Sequence, residues 1–173
     1  MQLYHLILSR RWPLSLIESR PYRSALLLGA GTGLLSASLG ATVACLLQAL
    51  LPRQILGPSA AAALANLAPW SLLVMGGFLI PLWETCAAQW LPLEMGRLAG
   101  FNDIACVALA AMVFGAGHYL NGGLAHGVCA AIAGALFATA YLVMRPCGYL
   151  PAFWASFVAH AVNNLLLLLI LLI

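Results

Sequence analysis

Side chains able to move protons are scarce in this sequence and gather in three places. Glu84, Thr85 and Gln89 sit in one apolar stretch, His118 in a second, and His160, Asn163 and Asn164 in a third. His160 and Asn164 are four apart and share a helix face, with Asn163 beside them. A Glu and a His facing one water molecule make a general base, and a His with an Asn can donate hydrogen bonds to a developing oxyanion. Together they would hydrolyse an amide in a water-poor cavity. The same residue types permit zinc, with Glu84, His118 and His160 as ligands and a fourth position open to water. Spacing does not decide between the two. HExxH, GxSxG, Ser–Lys and P-loop patterns are all missing.

Each group also has a purely structural reading. A carboxylate at the bilayer centre costs at least ~2.5 kcal/mol, so Glu84 needs a partner, a water-filled cavity or a proton shared with a neighbouring helix. The third cluster could be interhelical hydrogen bonds worth about 1–2 kcal/mol. One such group is glue; a Glu, two His and an Asn on three different spans form a site.

The elements that must hold them are membrane helices. Of 173 residues, 64% are hydrophobic and 6% charged, with a mean hydropathy of +1.02; a soluble domain is roughly 25% charged. That excludes an ordinary soluble protein and a disordered one. The charges are seven Arg, no Lys, and Glu18, Glu84, Glu94 and Asp103, too thin a basic balance for a nucleic-acid partner. The five cysteines show no CxxC spacing and read as reduced, buried thiols.

The pattern predicts an all-α polytopic bundle of about five transmembrane helices behind an N-terminal interfacial segment. Residues 1–23 carry Arg10, Arg11, Arg20 and Arg23 up to the edge of the first apolar run. This fits a cytoplasmic, partly amphipathic surface segment and not a cleavable signal. Residues 24–173 then form one transmembrane domain. Its spans are Ser24 to Pro52, 69–93, 102–120, 124–144 and 151–173, with an Ala-rich connector or short helix at 57–68. Gly29, Gly31, Gly33 and Gly40 would let the first span pack closely. With the N-terminus inside, six Arg face the cytoplasm and only Arg53 faces out. His126 and the Gly123/Gly127 pair read as packing, and Trp70, Trp83, Trp90 and Trp154 as interfacial or lipid-facing residues. These spans put His118 near the outer end of its helix, whereas a shared site needs all three groups at one depth. The third helix must therefore run past Tyr119, or residues 120–125 must turn inside the protein.

The motifs resemble a known family. Pro81-Leu82-Trp83-Glu84-Thr85-Cys86-Ala87-Ala88-Gln89 is similar to the EExxxR motif of the CPBP membrane proteins, the CAAX proteases and bacteriocin-processing enzymes. Phe114 to His118 fits their FxxxH, and His160 to Asn164 their HxxxN, in the family's order. The resemblance spans about residues 69–168. It implies a glutamic-type intramembrane endopeptidase in which Glu84, assisted by His118, activates water while His160 and Asn164 stabilise the oxyanion. Thr85, Gln89, Phe114 and Asn163 support them. Thr85 and Gln89 replace the motif's second Glu and its Arg, so an ion pair would become a neutral hydrogen-bonded pair.

The expected substrate is a membrane-anchored protein or peptide, cut near its C-terminus or the membrane boundary. No cofactor is expected, zinc being possible. The expected location is a bacterial inner membrane. A non-enzymatic immunity or binding protein of the same fold is the alternative, followed by haem or quinone binding through His118, His126 and His160.

Overall fold

The computed structural model describes residues 19–58 and 67–172, and they form an all-α bundle. Most of the expected interfacial segment and residues 59–66 of the connector lie outside the described residues. Helix α1 spans Pro21–Leu50, α2 Arg53–Leu56, α3 Pro69–Leu98, α4 Asp103–Met144 and α5 Tyr149–Leu172. A 3-10 turn at Arg145–Cys147 joins the last two. All but α2 are long and apolar enough to cross a membrane.

Helix α4 is 42 residues long. Straight, it would measure about 63 Å, twice the ~30 Å of a bilayer core. It folds back on itself instead. Gly123 has φ 79° and ψ −172°, outside the helical region, and limbs 103–122 and 124–144 lie antiparallel. A Cβ on Gly115 would stand 2.7 Å from that of Ala131, and one on Gly127 2.7 Å from that of Tyr119. The four crossing helices therefore supply five rods, matching the sequence expectation. The Gly123/Gly127 pair is used inside the hairpin: Gly123 makes the turn and Gly127 lets the limbs touch. Asn102 caps the first limb by accepting the Ala105 amide at 2.9 Å.

Helices α1 and α5 run parallel. A Cβ on Gly29 would meet the Ala155 carbonyl at 2.7 Å, and one on Gly33 the Ala159 carbonyl at 2.6 Å. Only glycine permits that approach, the small-residue packing expected of membrane helices. Gly31 and Gly40, also expected to pack closely, have nothing within 4 Å of an added Cβ.

The helix boundaries differ from the sequence expectation by a few residues. Helix α1 starts at Pro21 because proline is already shaped for the first turn and needs no amide partner there. Helix α3 continues to Leu98, since Glu94 and Arg97 are satisfied by partners and do not end it. Glu94 accepts from Arg145 Nε at 2.6 Å and from the Tyr141 hydroxyl at 2.7 Å, and Arg97 faces Asp103 at 3.6 Å. These contacts tie together one end of the bundle, where Ala25, Leu93, Cys106, Tyr141, Met144 and Ala152 form a fully buried cluster.

Candidate active site

Helix α3 owes its shape to two prolines. Pro81 and Pro92 lack the amide that a helix needs, and each ring crowds the preceding turn. Both preceding turns widen into π-helix, at Met75–Leu79 and Thr85–Trp90. In the first, the Ile80 amide bonds back to Met75 O. The Gly76 carbonyl then has neither Ile80 nor Pro81 as a donor. In the second, the Leu91 amide reaches Cys86 O, and Ala87 O loses Leu91 and Pro92 in the same way. Wide turns of this kind are frequent at functional sites. Here one directs Glu84, Ala87 and Ala88 towards a cavity, while Thr85 and Gln89 are fully buried.

Glu84 lies between two imidazoles from different helices. Its Oε2 is 3.4 Å from His160 Nε2 on α5 and 3.8 Å from His118 Nε2 on the first limb of α4. His118 Nδ1 is 2.9 Å from the Phe114 carbonyl. A carbonyl can only accept, so Nδ1 carries the proton there and a neutral His118 turns the Nε2 lone pair towards Glu84. His160 is 1% exposed. Its Nδ1 is 3.3 Å from the Thr85 hydroxyl. Phe137 stacks on the His160 ring at 4.9 Å and Phe114 meets it edge-on at 5.1 Å. The helix that carries His118 runs two residues beyond the span end expected from the sequence. It continues to the Gly123 turn.

Asn164 is held by a directional chain. Its Nδ2 donates to the freed Gly76 carbonyl at 3.1 Å. Its Oδ1 accordingly faces Asn163 and accepts from that residue's Nδ2 at 3.1 Å. Asn163 Oδ1 in turn accepts from Ser36 Oγ at 2.8 Å. Because the last acceptor is a carbonyl, every amide in the chain has one orientation.

These groups border a cavity of about 1080 Å³, which Glu84, His118, His160, Asn163 and Asn164 all line. The size is slightly above the usual range for ligand pockets. His126, read from the sequence as packing, lines it as well and stacks on His118 at 5.0 Å. Ser36 and Phe137 were not singled out in the sequence. Among the described residues, no group of three His, Cys, Asp or Glu is arranged to hold a metal ion.

One sequence expectation fails. Thr85 and Gln89 do not form a neutral pair: the Thr85 hydroxyl is engaged with His160, and the Gln89 amide is buried with neither Nε2 nor Oε1 partnered. The Gln89 amide turns instead towards Gly134, where an added Cβ would sit 3.1 Å from Nε2.

The family model described as type II CAAX prenyl endopeptidase Rce1-like matches residues 65–166. That is more than half the chain and includes Glu84, Thr85, Gln89, His118, His160 and Asn164. No curated protein and no solved structure matches. With helices built to cross a bilayer and a match of that extent, the chain is an integral membrane protein belonging to the Rce1-like family of type II CAAX prenyl endopeptidases, a family of peptidases.

Proposed function

We propose that this chain is an intramembrane endopeptidase. It hydrolyses a peptide bond near the C-terminus or membrane boundary of a membrane-anchored protein or peptide. The observation that carries the reading is the convergence of His118 and His160 on one Glu84 oxygen, from three helices, in a cavity large enough for a polypeptide segment.

The 3.8 Å gap between Glu84 Oε2 and His118 Nε2 is too long for a direct bond and suits an intervening water. Both flanking atoms are acceptors, so that water donates to each and is polarised for attack. As it adds to the scissile carbonyl, Glu84 and His118 take up its proton and return it to the departing amine. His160 carries its proton on Nε2, which faces the Glu84 carboxylate, so its Nδ1 accepts from the Thr85 hydroxyl. As Glu84 takes up the water's proton its hold on that N–H weakens, and the N–H, with the second amide hydrogen of Asn164, donates to the oxygen that becomes negative. The Ala87 carbonyl, without its helix donors, accepts a backbone amide of the substrate.

The test compares cells expressing the wild type with cells expressing Glu84→Gln, His118→Ala or His160→Ala at matched membrane levels. New polypeptide termini are identified by mass spectrometry of the membrane fraction. Loss of general-base chemistry is worth about 100- to 10,000-fold, so wild-type products should vanish in Glu84→Gln. Full product from Glu84→Gln would make Glu84 structural and leave a binding protein.

A further inference from the structure

Two observations made on different parts of the molecule determine from which face of the membrane the cavity is reached. The first is where it opens. Its polar, deeply placed residues lie mid-bundle; its exposed lining includes Gln48 near the end of α1, Arg53 on α2, and Gly117 and Asn121 just before the hairpin turn, with Trp83 and Val113 exposed along its side. In the other direction the bundle is sealed by the Ala25, Leu93, Tyr141 and Met144 cluster, no member of which lines the cavity.

The second is the distribution of cations. Arg20 and Arg23 at the start of α1, Arg97 at the end of α3 and Arg145 after α4 all lie at the sealed end. Arg53 alone among the described arginines lies at the open end. Membrane helices are oriented by the excess of Lys and Arg near their cytoplasmic ends, and acidic partners contribute little to that bias. The ion pairs of Arg97 and Arg145 therefore do not cancel their effect.

We infer that the site opens on the non-cytoplasmic face of the membrane, so that its substrate is a polypeptide segment already translocated across the bilayer. The substrate class rests on the peptidase reading above; the orientation does not. A cytosolic lipidated tail reaches the sealed, arginine-rich end. A segment that emerges on the far side, beside Arg53 and Asn121, meets the opening. Hydrolysis there needs only water, which that face supplies.

The experiment uses the full chain in intact bacterial cells. Its five cysteines are replaced by alanine or serine, and one cysteine is introduced by Asn121→Cys at the rim or Leu150→Cys at the sealed end. The probe is a membrane-impermeant maleimide. Asn121→Cys should label as fully in intact cells as after permeabilisation, and Leu150→Cys only after permeabilisation. The reverse pattern, or equal labelling of both in intact cells, overturns the inference. Should the cysteine-free chain fail to accumulate, alkaline phosphatase fused after Ile173 of the unaltered chain reads the same face, because α5 runs towards the open end. An inactive fusion overturns the inference. Labelling is repeated on Glu84→Gln, which should not change it. Loss of the peptidase reading with labelling intact thus stays separate from loss of the orientation.

Discussion

Replacing Gly123 by alanine should unlock the hairpin that holds His118 and His126 together. Its φ of 79° with ψ near −172° belongs to a region open essentially to glycine alone, and holding another residue there costs about 1–3 kcal/mol. The new Cβ would also stand 2.6 Å from the Leu56 carbonyl and 2.7 Å from Gly57 Cα. Both are backbone atoms and cannot swing aside, and overpacking adds about 1–3 kcal/mol. A loss of about 3 kcal/mol corresponds, at roughly 2–4 °C per kcal/mol for a chain of this length, to a Tm lower by about 6–12 °C. Thermal unfolding of the detergent-solubilised protein measures this. Gly31→Ala is the control, since it sits in a helix with nothing within 4 Å of the added Cβ and should leave Tm level or raise it. If Gly123→Ala melts with the wild type, the turn is not where the chain reverses, and the two limbs owe their arrangement to something else.

Two further substitutions test the surroundings of Glu84. Thr85→Val keeps the shape of the side chain but removes the hydroxyl that faces His160 Nδ1. Losing about 1 kcal/mol of hydrogen bonding should lower kcat about five- to tenfold; Thr85→Ser should restore it, and a serine variant as slow as valine would sink the tautomer argument. Gln89→Met removes two buried, unpartnered polar atoms at nearly constant volume and should raise stability by about 1–2 kcal/mol. A fall in Tm would show that the amide has a partner after all.

The apolar runs and the N-terminal arginines made the rods legible in the sequence, because membrane helices must satisfy their own backbone. What escaped were contacts between residues far apart in the chain. Nothing local marks Ser36 as the start of the hydrogen-bond chain to Asn164, or Phe137 as the ring that covers His160. The wide turns were readable in principle, since Pro81 and Pro92 stand in plain view inside an apolar run. Their effect on Gly76 needed the identity of the neighbouring helix. The Thr85–Gln89 pairing failed for a related reason: four-residue spacing puts two side chains on one face, but a neighbouring His160 took the hydroxyl first.

The hairpin also imposes an order of assembly. Its limbs meet through residues close in sequence, such as Tyr119 with Gly127 and Gly115 with Ala131, and local contacts form early and fast. Glu84 and His118 both precede α5 in the chain, so the half of the site proposed to activate water can be in place while α5 is still being made. His160, Asn163 and Asn164 arrive last, and until they do the Gly76 carbonyl has no side chain to accept from. On the mechanism proposed above, a growing chain in the insertion machinery, surrounded by other partly folded polypeptides, stays inert until its final span is seated.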